Sequence, residues 1–572
     1  MLFSKEKKTN KKKIGENEIN EAYTTLQLYK KGKTNLEKKI IENEQFWKRE
    51  QWKINTETQN MPSSGWMLNA ILNRHADLMD SYPEAVMLPR EKSDEESAKT
   101  LSSVIPVILE QNGFRKTYSN ESWYKLKHGC GAYGVFWNGQ ADEGKGRVDI
   151  KHLDLLNLFW EPGVKDIQQS RNFFICDLVA QDDIKERYPN IEINGSDTGE
   201  LSRYVQDETI DTSDKVLVVD WYYKKNGKLH YCKFCDGNVL FASENEEEYE
   251  NGWYEDGQYP VVFDVMYPEE GTPVGFGIID ITKEPQAYID KLDDGILRHT
   301  YLAGHPRYIA KKDMGINKEE FLDVKNELIE VDGDINEERF RQMNPPEVSS
   351  ALFNYRNEKI NELKETAGNT DFMQGNTSKG VTSGAAIAVL QEQGSKLSRD
   401  VIENGNEAFK CVISMLVERL RQFYTIERVY RITQPNGKEY EFTTFDNKML
   451  QLQPVKGNEE LFRKPVFDIE VHAQRKNPFS TLSQNETAMN LYNAGFFNPE
   501  MAQQSLMALK LMTFEGKEEV ITYVQEGQTL FNQLQQMEQQ MQMLMKENAM
   551  LKGAIPNQGA VPNNQIMPGM TA

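Results

Sequence analysis

Three short constellations in this 572-residue sequence carry residue types suited to holding phosphates or metals. Gly129-Cys130-Gly131-Ala132-Tyr133-Gly134 has the glycine spacing of a dinucleotide-binding turn, where backbone approaches a pyrophosphate at a helix N-terminus. That chemistry needs a strand before the glycines and a helix after them. Here Glu121 to His128 reads as a helix end and Tyr133 to Trp137 as a strand, which predicts a tight helix-to-strand turn instead. Gly139-Gln140-Ala141-Asp142-Glu143-Gly144-Lys145-Gly146 follows the phosphate-loop spacing until its last residue, where Gly146 replaces the Ser or Thr that would hold Mg²⁺. The alternating Arg147-Val148-Asp149-Ile150 after it predicts a hairpin. Cys232-Lys233-Phe234-Cys235 is half a zinc site without a second close pair. It lies between the turns Asn226-Gly227 and Asp236-Gly237-Asn238, so an ordinary strand is predicted. The seven histidines stand singly, and local spacing assembles no Ser/His/Asp or Cys/His set. The expectation is therefore a protein without catalytic residues, metal or cofactor, and not an enzyme.

Composition narrows the class. With 38% hydrophobic and 10% aromatic residues the chain can build real cores, and its length suggests roughly three to four domains. The net charge of −21 argues against a reader of nucleic-acid sequence, which would show a dominant basic face. No apolar run reaches the roughly 18 residues of a membrane helix, and Met1 to Lys5 lacks the apolar core of a signal peptide, so cytoplasmic synthesis without a membrane partner is expected. Cysteines at 130, 176, 232, 235 and 411 are too scattered for a disulfide framework and predict reduced thiols.

The elements follow a distinctive order. Residues 19–128 read as mostly helical and 133–267 as mostly strands. The turn-rich run Tyr267 to Gly277 then ends one structure before another begins. Ile281, Ala287, Ile289, Leu292, Ile296, Leu297 and Leu302 recur at helical spacing, with Asp290, Asp293 and Asp294 between them on one predicted face. Thr282 is the expected N-cap, with Pro285 in the first turn. A small insert follows, with strands at Tyr308 to Ala310, Leu328 to Val331 and Arg339 to Arg341 and a short helix from Lys318 to Asn326. The chain returns through Pro345-Pro346 into a helix ending near Gly368. Gly368 to Gly380 is too polar and Gly-rich to pack. A helix capped by Ser383 is expected to run to about Tyr424, with Gly394 and Gly405 as places for a bend. A hairpin around Pro435-Asn436-Gly437, a strand at Val466 to Val471, helices from Ser483 to Leu511 divided at Gly495 to Pro499, and a coiled-coil-like spacing from Val520 to Leu551 complete the chain.

With this order the sequence resembles the portal proteins of tailed bacteriophages. The resemblance rests on Trp47-Lys48-Arg49-Glu50-Gln51-Trp52, the Asn69/Asn73 helix ending at Pro83, the turn and strand at 129–137, His305-Pro306-Arg307-Tyr308, and Gly380-Val381-Thr382-Ser383-Gly384-Ala385-Ala386-Ile387-Ala388-Val389-Leu390. It covers residues 40–515 and implies an α+β portal fold: a mixed α/β wing, a two-helix stem, a small α/β clip, a long kinked wing helix and a helical crown, forming a ring. The implied segments are a disordered basic arm at 1–18, wing at 19–280, stem helix at 281–304, clip at 305–346, stem return helix at 347–367 and tunnel loop at 368–383. The long helix and second part of the wing take 384–480, the crown 481–515, a C-terminal helix, coiled coil or barrel 516–552, and a disordered tail 553–572.

The function implied is a dodecameric ring at one capsid vertex, the conduit for DNA packaging and ejection. The partners implied are the large terminase, a tail adaptor, the major capsid and scaffold proteins, and double-stranded DNA passing without sequence recognition. The host cytoplasm would be the place of assembly and the virion the final location. Asp290, Asp293 and Asp294 would line the channel, where negative charge weakens DNA adhesion. Asp371, Phe372, Asn376 and Lys379 would belong to the tunnel loop. Lys318, Glu319, Glu320, Lys325, Arg339 and Arg341 would face terminase or adaptor on the clip. Two other readings remain open: another head–tail connector or adaptor, and a large terminase, which would need the complete phosphate loop that Gly146 denies.

Overall fold

The computed structural model describes residues 14–53, 60–189, 191, 201, 204, 214–304, 307–312, 316–317, 319, 321, 336, 340–343, 347–368, 396–433, 440–455, 458–475, 488–498, 501–511 and 517–553. The chain divides into two compact units, 1–474 and 475–572, each taken by itself below.

In the first unit a 32-residue helix, α1 (Glu16–Trp47), lies on a five-stranded antiparallel sheet. Its strands β4 (Leu158–Trp160), β5 (Asn172–Ala180), β6 (Lys215–Lys225), β7 (Lys228–Cys235) and β8 (Asn238–Ala242) lie side by side in sequence order. Ile19, Ala22, Leu26 and Tyr29 of α1 meet Phe174, Leu217, Val219 and Trp221 on one sheet face, while Tyr222 and Leu229 are buried in a second core. The meander is closed by two-residue turns. Asn226 and Gly227 have φ of 53° and 75°, the left-handed pair a tight hairpin between twisted strands requires, and Asp236-Gly237 repeats it. Cys232 and Cys235 sit in β7 as buried free thiols, as the strand reading expects.

A second sheet orders β3 (Arg147–His152), β2 (Cys130–Asn138) and β9 (Val261–Val265). Helices α2 (Trp66–Asp80), α3 (Glu95–Gln111) and α4 (Phe114–His128) belong to the same unit. Between α2 and α3 the chain forms β1 (Ser81–Pro89), which pairs with the distant β18 (Phe467–Arg475). The mostly helical reading of 19–128 holds, with this one strand unforeseen within it. Pro83, Ala85 and Met87 are buried at alternate positions, a strand period hidden between two helical ones. A single core joins α3, β2, β3 and a later helix, α8 (Lys396–Phe423), through Leu101, Ile105, Phe114, Val135, Val148, Phe409, Val412 and Leu416. Two hairpins follow α8: β14 (Arg428–Thr433) with β15 (Tyr440–Phe445), and β16 (Gln453–Val455) with β17 (Asn458–Arg463). Arg421 in α8 reaches both neighbourhoods, donating through Nε to the Leu450 carbonyl at 2.8 Å and through Nη2 to that of Pro465 at 3.0 Å.

The second unit contains α9 (Ala502–Leu511) and a 37-residue helix, α10 (Lys517–Gly553). Leu491, Ala502, Leu509 and Val524 form its small core. Farther along α10, Leu530, Leu534, Met537, Met541 and Leu544 are exposed at alternating steps of four and three. No described helix is long and apolar enough to cross a membrane.

Candidate functional site

The central excursion of the first unit runs out along α6 (Ile278–Gly304), through the short strands β12 (Arg307–Ala310) and β13 (Phe340–Met343), and back along α7 (Ser350–Thr366). The helix starts earlier than its apolar spacing suggests. Thr282 is therefore not the N-cap but lies one turn inside the helix, its hydroxyl donating to the Ile278 carbonyl at 2.7 Å, and Pro285 lies inside the helix. Asp280 supplies the acceptor at the start instead, taking the Gly277 N–H at 2.8 Å and Asn43 Nδ2 at 3.0 Å. The two helices pack antiparallel: Asp293 pairs with Arg356, and going back along α6 to Ile289 goes forward along α7 to Ile360 and Leu363 in a shared core. Ser349 caps α7, accepting the Ala351 N–H through Oγ at 3.3 Å.

The three aspartates, within about a turn of one another on α6, meet different partners. Asp290 is fully buried and accepts from Gln51 Nε2 (2.9 Å), Trp52 Nε1 (3.0 Å), the Ser64 N–H (2.9 Å) and hydroxyl (3.1 Å), and Gln286 Nε2 (2.8 Å). Its expected place on a channel wall is corrected, since a carboxylate enclosed by its own chain presents nothing to a lumen. Asp293 faces α7 through Arg356, whose Nη2 lies 3.2 Å from Oδ2. Asp294 bonds Arg298 at 2.8 Å one turn on. Tyr288 is exposed beside the root, and farther from the body the helices expose Leu297, Tyr301, Leu352, Phe353 and Tyr355.

Tyr308, Phe321 and Phe340 form the described core of the tip, their ring centroids 4.9 to 5.8 Å apart. Glu319 and Arg341 of the expected docking set are exposed there. Lys318, Glu320, Lys325 and Arg339 lie outside the described residues, as do the 328–331 strand and the rest of the short helix, of which Glu319 and Phe321 are described and helical. Asp371, Phe372, Asn376 and Lys379, together with Ser383 and Gly394, also lie outside them.

The glycine-rich near-matches acquire packing explanations. Gly129 caps α4 with φ 88°, and an added Cβ would stand 2.4 to 2.7 Å from the backbone of Phe276 and Gly277 where α6 begins. A Cβ on Gly131 would meet Glu121 Oε1 at 1.8 Å. Gly146 has φ 71° and a Cβ there would meet the Trp137 ring at 2.2 Å, so it closes the β2–β3 hairpin, in which Asn138 pairs with Arg147. Neither segment is a helix N-terminus facing a ligand. Among the described residues no three His, Cys, Asp or Glu side chains gather as metal ligands would.

Spacing did not reveal the buried charges. Lys125 Nζ lies 2.5 Å from Asp264 Oδ1 and donates to the Val401 carbonyl at 3.0 Å, tying α4, β9 and α8 together. Glu121, wholly buried alongside, accepts from Tyr133 OH at 2.9 Å. Burial, reinforced by the Asp264 charge, holds the Glu121 carboxyl well above its usual range, and burial raises Asp264 as well. Gly405 sits against this group, with the Lys125 ammonium 3.4 Å from where its Cβ would be. About four turns farther along α8, Arg419 is buried, pairing with Asp256 at 2.9 Å and stacking 3.4 Å over Tyr254.

These elements define an α+β protein whose body sends out a pair of packed helices tipped by a small strand ribbon. The chain belongs to the family described as phage P22-like portal protein, which matches residues 76–268 and 270–561. No curated protein matches the sequence. Portals are structural components at a capsid vertex, with general roles in DNA packaging, head–tail connection and terminase docking.

Proposed function

We propose that copies of this chain close into a dodecameric ring and that α6 and α7 are the stem of its DNA channel. The observation that carries the reading is the α6–α7 pair. Its root shares the body's core through Ile289, Ile360 and Leu363, while outer residues such as Leu297, Tyr301 and Phe353 have no apolar cover in a single chain. Such side chains call for a neighbour. The β12–β13 ribbon supports the clip assignment in the same way: two strands with a three-ring core are marginal alone, and pairing between subunits would steady them. In this reading Glu319 and Arg341 on the clip meet terminase and later the adaptor, and Asp294 is the stem aspartate closest to a lumen. The loop carrying Asp371, Phe372, Asn376 and Lys379 touches DNA by charge without reading bases. The α10 helices, with their exposed stripe, pack side by side in a crown or barrel. Assembly takes place in the host cytoplasm beside scaffold and capsid proteins. The ring acts as a conduit and performs no chemistry of its own.

Electron microscopy of the purified full-length protein tests this. A closed ring with a central channel lined by α6 is expected, and a monomer or an open filament at every concentration would overturn it. Replacing 371–379 with a Gly/Ser linker separates assembly from function: rings should form and enter shells, but the shells should package poorly or leak DNA. Normal filling and retention would remove the role given to the loop.

A further inference from the structure

We infer that the outer face of the β14–β15 hairpin is one side of the contact between neighbouring copies of this chain, an inference that rests on the ring proposed above. The pairing register places Val429 opposite Thr444 and Arg431 opposite Phe442, with Tyr440 two residues from Phe442 on the same face. The adjacent positions Tyr430 and Phe445 point the other way and are buried in the core under α3 and α8. The hairpin is thus apolar on both faces. Its outer face exposes 62% of Val429, 62% of Tyr440 and 67% of Phe442, the last two rings meeting edge to face at 5.7 Å. Ile426 precedes it, and Leu452 and Phe462 of the next hairpin are similarly bare.

The amount and the charge of this surface identify its occupant. On this face Val429, Tyr440 and Phe442, each offering on the order of 100 Å², present about 300 Å², over a third of the ~800 Å² per partner that a specific protein contact buries. Each copy carries a net charge of −21, so two copies repel unless they meet where acid is sparse. Among the face positions 429, 431, 440, 442 and 444 the single charged residue is Arg431, while Glu441 lies in the register of the opposite face. An apolar, faintly basic patch is where one acidic copy can accept another. In a closed ring this contact is heterologous, so the patch docks on a different surface of its neighbour.

The test uses the full chain with Val429→Lys and Phe442→Lys together, and separately Phe442→Ser. Both positions are exposed, so far-UV circular dichroism and the melting temperature should stay near the parent's. Mass photometry should show ring formation shifted to at least about tenfold higher concentration in the Lys pair, with a smaller shift for Phe442→Ser. A Phe442→Cys variant carrying Cys411→Ser, labelled at that thiol with a maleimide-linked benzophenone, should photo-crosslink to the neighbouring subunit of the parent-like ring, whatever residues that neighbour presents. Rings that form at the parent's concentration, with crosslinks absent between subunits, overturn this contact and leave the ring standing. A wild-type chain that never assembles overturns both.

Discussion

The indole N–H of Trp52 reaches across 3.0 Å to Oδ2 of Asp290, fastening the segment after α1 to the middle of α6. Gln51, Ser64 and Gln286 complete the enclosure, and among the described residues no cation pairs with the carboxylate. A buried anion satisfied only by neutral donors tolerates little rearrangement, because each donor that leaves exposes part of its desolvation penalty. Asp290→Ala should therefore destabilise the protein by about 2–4 kcal/mol, the scale of a broken buried network. Denaturant melts would measure it, and hydrogen exchange should accelerate in residues 60–65. A variant as stable as the parent would mean that Asp290 is not anchored in this way.

The Asp293–Arg356 pair is different in kind. Both side chains are partly exposed, at 21% and 28%, so solvent screens them. A double-mutant cycle with Asp293→Ala and Arg356→Ala should give a coupling of about 0.5–1 kcal/mol that shrinks as salt rises. Zero coupling at low salt would show that the apolar seam alone holds α6 to α7.

Glu121 gives a stability slope on the alkaline side. Its carboxyl is raised by burial and by the neighbouring Asp264 charge, so the unfolded chain ionises there before the folded one. A raised folded-state pKa means that its contribution is complete below the ordinary carboxylate range and is lost as pH climbs through the folded value. Glu121→Gln should flatten that decline in melting temperature. Lys125→Met should cost about 3–5 kcal/mol at neutral pH, by leaving Asp264 charged and alone. Parallel pH profiles for Glu121→Gln and the parent would sink the assignment.

The histidines slope the other way. Burial depresses the imidazoles of His128 and His152, the latter to about 4, so both fold neutral. Their contribution is present above the ordinary histidine value and lost as pH falls from there toward the folded ones. Replacing His152 with Phe should remove part of the acid-side loss of melting temperature. An unchanged acid limb would assign it to the carboxylates instead.

Local patterns were legible where they rest on neighbours in sequence. The Gly129 turn, the 139–146 hairpin, the strand holding Cys232 and Cys235, and the helix ending near Gly368 all depend on residues a few positions apart. Contacts across the chain left no such trace. Helical spacing puts Asp290, Asp293 and Asp294 near one another, but only the arrival of Gln51 and Trp52, more than 230 residues away, turns Asp290 inward. Gly405, expected as a place for a bend, sits inside α8 against an ion pair formed by two other elements, a neighbourhood its spacing did not announce. Strand β1 was missed because its partner lies near residue 470. The docking set is only partly placed, since most of it falls outside the described residues.

The pairing of β1 with β18 has a mechanical consequence. It staples residues 81–89 to 467–475, so the whole length of chain between them, α6 and α7 included, leaves and re-enters a body already clasped. A pull along α6 and α7 therefore loads two antiparallel helices side by side, as shear across the seam of Ile289, Ile360 and Leu363, and does not peel the body open from one end. A load on either helix would be returned to the same hydrophobic root. In an optical trap, a pull between one handle at the tip, on residue 341, and one on the body, on residue 180, should extract the helix pair before β1 parts from β18, and the reverse order would show that the clasp is the weaker link.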